Sequence, residues 1–159
     1  MRYAFQPGAR DRVRDRRFEE ALAPHIVAIV GIDISPNMVA AAQRRCSRMS
    51  NVTIMQSNGC DLTPLRSASR DLVLAIDSFP YIVQAGMDLA ERHFSEVRRV
   101  LTSHGEFVIP EFSYRGDLAI DRLDVARLAT AHGFSVVENG AQPFHIWDGA
   151  VFRLSPAMR

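Results

Sequence analysis

Apolar runs alternate with amphipathic segments along this chain, a pattern typical of strands joined by helical crossovers. The first run, residues 26–34, is apolar on both faces and carries an acid, Asp33, near its end. A second run, residues 71–76, is equally apolar and is followed by Asp77. Strands of this kind are buried between two layers of helices. The pattern therefore predicts an α/β fold with a doubly wound, mostly parallel sheet.

Two amphipathic segments between the apolar runs have the spacing of helices that pack on a sheet. Ser35 and Pro36 supply an N-cap and a first-turn proline for a helix over residues 37–48. Apolar positions predict a second helix over residues 88–102, with Gly105 as its stop signal. Both helices lie where crossovers between parallel strands are needed.

The last third of the chain predicts one more helix and a hairpin. Asp117 is the expected N-cap of a helix that runs to His132, and Gly133 stands where a left-handed C-terminal residue is wanted. No helical pattern separates the last two apolar runs, so we expect those two strands to be antiparallel. The remaining strands are predicted over residues 52–56, 106–112, 134–138 and 150–154.

Composition limits the class of protein. The 159 residues are 47% hydrophobic and 23% charged, which suits one globular domain and excludes disorder. No apolar run approaches the roughly 20 residues that cross a bilayer, and no signal-peptide pattern is present, so we expect a cytoplasmic protein without a membrane partner. Cys46 and Cys60 have no metal-ligand spacing, so neither a metal site nor a disulfide is predicted.

Charge is uneven along the chain, although the net charge is only +1. Residues 1–17 hold six arginines against two aspartates and form a basic head that we expect to be poorly ordered. Alternating arginine and aspartate is more typical of a solvated face than of a nucleic-acid site. We therefore predict one domain over residues 18–159, without a nucleic-acid partner.

The acids at the strand ends are the first candidates for chemistry, because ligands of doubly wound sheets bind there. The Asp33 carboxylate can accept hydrogen bonds from both ribose hydroxyls of an adenosine ligand. Its alternative role is to end the strand and cap the next helix. Asp61 lies in a polar turn, residues 57–62, where its carboxylate could accept from an adenine amino group. A backbone N–H of Cys60 or Leu62 could then donate to the ring.

Four segments carry a family resemblance: VGIDISPNMVAAAQRR, NVTIMQSNGCDL, DLVLAIDSFPYI and FSEVRRVLTSHGEFVI. In this order and spacing the chain resembles a class I S-adenosylmethionine-dependent methyltransferase over about residues 18–154. The resemblance implies a Rossmann-like sheet closed by a C-terminal antiparallel hairpin. It also implies methyl transfer by direct displacement to a small-molecule acceptor, which the sequence does not identify.

The same resemblance implies a cofactor site for S-adenosylmethionine, without a metal ion and without an assigned catalytic residue. Its residues are Asp33, Ile34, Met38, Cys60, Asp61, Leu62, Asp77 and Ser78. Asp33 would hold the ribose hydroxyls, with Ile34 and Met38 beside the adenosine. The turn around Asp61 would meet the adenine. The residues that follow the 71–76 strand, Asp77 and Ser78, would line the methionine end and the site of methyl transfer.

The front of the chain departs from the family pattern. The expected glycine-rich turn would fall near Arg12, Arg14 and Arg16, before a helix over residues 18–24. A proper first strand is also predicted to be lacking, with residues 3–6 as its only candidate. Such a gap would leave unpaired central strands and favour self-association.

Three hypotheses follow from this departure. Residues before about Arg17 could come from a wrong start or a shifted reading frame, which would replace glycines by arginines. Alternatively, the chain is a degenerate methyltransferase-like interaction module without catalysis. A third hypothesis is an NAD-dependent dehydrogenase, which would use Asp33 equally well. The polar turn and the closing hairpin favour a methyltransferase over a dehydrogenase.

Overall fold

Seven strands form one sheet in the computed structural model, which describes residues 2–3, 18–113, 116–145 and 147–157. In chain order the strands are β1 (Arg2–Tyr3), β2 (Ile29–Asp33), β3 (Val52–Gln56), β4 (Arg70–Ala75), β5 (Leu101–Glu111), β6 (Phe134–Ala141) and β7 (Ala150–Pro156). Their spatial order is β3-β2-β1-β4-β5-β7-β6. Strands β1 to β5 are parallel, and β7 is antiparallel to both β5 and β6. The predicted doubly wound sheet with a closing hairpin is confirmed.

Five helices connect these strands within the described residues. They are α1 (Phe18–Leu22), continued by a 3-10 turn (Ala23–His25), α2 (Pro36–Arg45), α3 (Phe79–Ala85), α4 (Met87–Val100) and α5 (Leu118–Ala131). No described helix combines the length and the apolar character that crossing a membrane requires. Gly133 adopts φ +71° after α5, as predicted for a left-handed residue at a helix end.

The short strand β1 lies in the centre of the sheet. Arg2 pairs with Gly31 of β2 on one side and with Leu74 of β4 on the other. This is the position that the family resemblance gives to the first strand, which was predicted to be lacking or to occupy residues 3–6. The described strand consists of residues 2 and 3, and residues 4–6 lie outside the described part of the chain.

The largest buried cluster lies between β4, β5 and β7 on one side and α3, α4 and α5 on the other. Phe94 of α4 is 0% exposed and lies at its centre, with ring contacts to Phe79, Phe107 and Phe134. Side chains two apart on a strand share a face, so Glu111 lies on the same face of β5 as Phe107. Glu111 therefore places a carboxyl group at the end of the buried face of β5.

Two predictions about the middle of the chain were wrong. The helix predicted over residues 88–102 ends at Val100, and Gly105 lies inside β5 instead of stopping the helix. A Cβ on Gly105 would lie 3.0 Å from the Arg70 carbonyl oxygen, where the pairing of β4 and β5 shifts register. Glycine therefore allows close approach of two strands here. Helix α3 was not predicted, although Pro80 occupies its first turn.

Candidate active site

Three acids lie at one edge of the sheet because β2, β4 and β5 are parallel. Asp33 is the last residue of β2, Asp77 follows β4, and Glu111 is the last residue of β5. Strand β1 lies between β2 and β4. The strand order runs from β1 through β2 to β3 on one side and through β4 to β5 on the other, so it reverses at β1. Ligands of doubly wound sheets bind at such a reversal, outside the carboxyl ends of the strands. This edge is therefore the candidate site.

Asp33 connects β2 to α2. Its side chain is 8% exposed, and its Oδ1 atom accepts a hydrogen bond of 2.8 Å from the Ser35 backbone N–H. The Ser35 hydroxyl in turn accepts from the Met38 N–H at 3.4 Å and caps α2. Asp33 thus supports the helix start, as its alternative role predicted. A carboxylate has about four acceptor positions, so it can accept from several donors at once.

A small open depression adjoins Asp33. Its lining includes Met38 of α2, Gly31 of β2 and Glu19 of α1. A Cβ on Gly31 would lie 2.7 Å from the Ile54 side chain and 3.1 Å from the Glu19 carboxylate. The predicted neighbour Ile34 is half-buried, and its carbonyl accepts from the Gln56 side chain at 3.2 Å. Asp33, Ile34 and Met38 thus lie together at the junction of β2 and α2.

The polar turn that contains Asp61 follows β3. The Asp61 Oδ1 atom accepts from the Thr63 N–H at 3.0 Å, and Oδ2 lies 3.5 Å from the Asn58 amide nitrogen. Hydrogen bonds from Thr63, and a weaker one from Asn58, lower the pKa of the Asp61 carboxyl. The carboxylate is therefore ionised at neutral pH and is available as an acceptor.

The two backbone donors predicted beside Asp61 are engaged within the protein. The Cys60 N–H donates to Asn58 Oδ1 at 2.8 Å. The Leu62 N–H donates to Glu96 Oε2 at 3.0 Å, and the Leu62 side chain is 0% exposed. Both N–H groups are thus occupied in this structure; Cys60 is exposed, and Leu62 anchors the turn.

Helix α4 holds the turn and the segment after it. Arg99 donates two hydrogen bonds of 2.7 Å to Glu96, and also donates to the carbonyls of Leu62 at 3.0 Å and Leu65 at 2.8 Å. His93 is 3% exposed, and its Nε2 donates to the Gly59 carbonyl at 2.9 Å. Burial lowers the pKa of His93, so the ring is neutral at physiological pH. These contacts hold the turn in place without a hydrogen bond to the Asp61 side chain.

Arg99→Met tests this attachment. We expect the free energy of unfolding to fall by about 2 kcal/mol, because hydrogen bonds to a charged group contribute about 1.5–3 kcal/mol and Arg99 is partly exposed. Arg127→Met is the matched control, since Arg127 makes one exposed ion pair with Glu91 at 3.1 Å. Urea unfolding measures both variants. An equal loss in the two variants would contradict the role of Arg99.

Asp77 and Ser78 form the tight connection from β4 to α3. Asp77 adopts φ +47°, a conformation uncommon for residues other than glycine, and its N–H donates to the Pro110 carbonyl at 3.1 Å. Ser78 is 0% exposed, and its hydroxyl has no hydrogen-bond partner among the described residues. Such strain and such an unsatisfied hydroxyl are features found at functional sites.

Glu111 and Asp121 are buried acids that the sequence analysis missed. Glu111 is 1% exposed and Asp121, on α5, is 0% exposed. Neither carboxyl oxygen of Glu111 has a hydrogen-bond partner in the described part of the chain. Burial, together with the charges of Asp121 and Asp77, raises the pKa of Glu111 well above its usual value. The sequence signal that could have identified Glu111 is an acid at the end of a strand in which apolar residues alternate.

Aromatic side chains border the same end of the sheet. Trp147 contacts Phe112 and Phe144, with ring centroids 5.6 Å and 5.8 Å apart, and Phe144 is 54% exposed. Trp147 also lies against Gly149, where a Cβ would meet its ring at 2.0 Å. The expected glycine-turn positions 12, 14 and 16 lie outside the described residues. Within the described residues, no group of three potential ligands is arranged to hold a metal ion.

Comparison with known proteins gives a consistent family. A family model described as a methyltransferase domain matches residues 16–109, more than half of the chain. The demethylmenaquinone methyltransferase of Tropheryma whipplei is 34% identical over 87 residues, which cover 55% of this chain and 34% of that protein. The matched part of this chain thus spans about a third of the length of the curated relative.

Solved structures resemble nearly the whole chain. A Pyrococcus horikoshii protein aligns with a TM-score of 0.71 and 21% identity, covering 98% of this chain and 81% of the other. An S-adenosylmethionine-dependent methyltransferase from Clostridium acetobutylicum aligns with a TM-score of 0.74 and 12% identity, covering 99% and 84%. At these identities the likeness concerns the fold.

Proposed function

Because the chain belongs to the methyltransferase domain family, we propose that it transfers a methyl group from S-adenosylmethionine to a small-molecule acceptor. The family and its structural neighbours imply this cofactor. When bound, S-adenosylmethionine supplies a methyl group activated by its sulfonium. The observation that carries the proposal is the row of polar groups at the carboxyl edge, from Asp33 through Asp77 to Glu111, on both sides of the reversal in strand order.

The residues at this edge fit the cofactor. Asp33 is a buried carboxylate at the carboxyl end of β2, and because a carboxylate can accept from several donors, we assign it to the ribose hydroxyls. Ile34 and Met38 would flank the adenosine, and the ionised Asp61 would accept from the adenine amino group. Ser78, whose buried hydroxyl has no partner in the described residues, supports placing the methyl end beside Asp77.

The protein's contribution to the reaction is to position the acceptor. Direct displacement needs the attacking atom, the methyl carbon and the departing sulfur in line, and such alignment lowers the barrier without an acid or a base. The relative from Tropheryma whipplei is named as a demethylmenaquinone methyltransferase. For this chain, the exposed ring of Phe144 and its neighbour Trp147 support an acceptor with an apolar surface.

Calorimetric titration with S-adenosylmethionine, with NAD as the comparison ligand, tests the proposed function. We expect micromolar binding of S-adenosylmethionine and no binding of NAD. Binding of NAD alone would instead support a dehydrogenase. A folded chain that binds neither ligand would overturn the proposal and favour a degenerate interaction module.

A comparison of two ligands that differ only in the adenine ring tests the assignment of Asp61. Asp61→Asn should reduce the preference for S-adenosylhomocysteine over its inosine analogue, which lacks the 6-amino donor, by about tenfold. Asp88→Asn is the control, because Asp88 is an exposed acid in the first turn of α4. An unchanged preference in Asp61→Asn would contradict the assignment.

A further inference from the structure

Glu111 has the features of a ligand-binding acid and not those of a structural one. It is 1% exposed at the carboxyl end of β5, and neither of its carboxyl oxygens has a hydrogen-bond partner among the described residues. Structural buried acids are normally paired or hydrogen-bonded, because an isolated buried carboxylate is costly. The hydroxyl of Ser78, which follows β4 at the same edge, is also buried and unsatisfied.

Two acids among the described residues act on the Glu111 carboxyl group. Asp77 approaches from the turn after β4 and Asp121 from α5, and both raise the pKa of Glu111. Strand β7 pairs with Glu111 through Ala150, which carries no titratable group. These three acids are not arranged to hold a metal ion. An ionised carboxyl group at the position of Glu111 would favour a ligand with a positive charge.

We propose that Glu111 is a proton-linked counter-ion for the bound cofactor. Its carboxyl group holds a proton in the free protein and releases that proton to solvent when the sulfonium of S-adenosylmethionine is bound at the carboxyl ends of β4 and β5. This inference rests on the proposed function, which assigns Asp77 and Ser78 to the methyl end. No bond other than the O–H bond of the carboxyl group changes in this step.

The arrangement would distinguish the cofactor from its product. S-adenosylmethionine carries a permanent positive charge on sulfur, whereas S-adenosylhomocysteine has a neutral sulfur. An ionised Glu111 is stabilised by the first ligand and gains nothing from the second. After methyl transfer Glu111 would take up a proton again, and the product would lose its electrostatic contribution to binding.

Calorimetry in two buffers of different ionisation enthalpy measures the protons released on binding. At neutral pH, wild-type protein should release up to one more proton than Glu111→Gln when S-adenosylmethionine binds, and the two proteins should not differ with S-adenosylhomocysteine. Below the raised pKa of Glu111, the affinity of wild-type protein for S-adenosylmethionine should increase with pH by up to about tenfold per unit beyond any increase in Glu111→Gln.

Glu106→Gln is the matched control. Glu106 lies on the same strand but is partly exposed and paired with Arg153 at 3.4 Å, so its replacement should leave the proton release unchanged. We expect Glu111→Gln to fold, since a neutral isostere removes the cost of ionising a buried group. Infrared difference spectra of the wild type give a second readout, because the band of a protonated carboxyl should disappear on binding.

The outcomes separate this inference from the proposed function. If S-adenosylmethionine binds with equal proton release in wild type and Glu111→Gln, and the carboxyl band persists, the counter-ion role of Glu111 is wrong while the proposed function stands. If wild-type protein does not bind S-adenosylmethionine, both proposals are overturned.

Discussion

Asp33→Asn should weaken the binding of S-adenosylmethionine by more than a hundredfold. The wild-type carboxylate can accept from both ribose hydroxyls, and hydrogen bonds to a charged group contribute about 1.5–3 kcal/mol each. The asparagine keeps one side-chain oxygen, which can still accept from the Ser35 N–H as Asp33 Oδ1 does at 2.8 Å. The start of α2 should therefore survive while the ribose contact is lost.

Comparison with a second aspartate separates a binding effect from a folding effect. Asp71 lies near the amino end of β4, at the opposite edge of the sheet, where it is exposed and accepts from the Thr102 hydroxyl at 3.1 Å. Asp71→Asn should leave the affinity unchanged. Calorimetric titration and thermal unfolding of the variants give the two readouts. Near wild-type affinity in a well-folded Asp33→Asn would remove Asp33 from the cofactor site.

The sequence was most informative from β2 to β3. The run before Asp33 is apolar on both faces, and Ser35 with Pro36 specifies a helix start by local hydrogen bonding and a fixed φ. These signals are contained within a few residues, so the structure reproduces them, with α2 ending at Arg45 instead of residue 48. The range predicted for β3 is the observed one.

The junction of α4 and β5 could not be predicted because distant residues determine it. No local signal separates Val100 from Leu101, and the helical pattern continues into the strand. The helix ends where the carbonyls of Arg99 and Val100 accept from the backbone N–H groups of Ala68 and Ser69. Those groups come from a loop about 30 residues earlier, so sequence periodicity carries no information about them.

The candidate site was predictable where chemistry follows from position on a strand. Asp33 and Asp77 directly end apolar runs, and parallel strands bring such residues to one edge. The state of the Leu62 N–H was not predictable, because its acceptor is Glu96 on another element. Glu111 was missed because an acid at the end of a strand is ordinarily exposed, whereas Glu111 is 1% exposed in the folded chain.

The aromatic group around Phe94 connects the site to the stability of the fold. Phe94 contacts Phe79 of α3 at 5.7 Å and Phe107 of β5 at 5.4 Å, measured between ring centroids. Phe79 directly follows Ser78, and Phe107 lies on the same face of β5 as Glu111. The connections that carry Ser78 and Glu111 therefore depend on one buried ring.

Phe94→Ala should lower the free energy of unfolding by about 3–5 kcal/mol, the range for removing a buried phenylalanine. Its side chain is 0% exposed. Two further rings, His132 and Phe134, would line the cavity that alanine leaves. The total free energy of unfolding of a domain is only about 5–15 kcal/mol, so we expect the melting temperature to fall by about 10 °C.

Phe144→Ala is the matched control for this truncation. Phe144 is 54% exposed, and its one ring contact among the described residues is with Trp147. Its loss should cost less than about 1 kcal/mol, because exposed positions change stability by about 0.5 kcal/mol and an aromatic pair adds about as much. Urea unfolding of both variants gives the difference. Equal losses in the free energy of unfolding would contradict the expected contribution of the Phe94 ring to the packing of the sheet against helices α3 to α5.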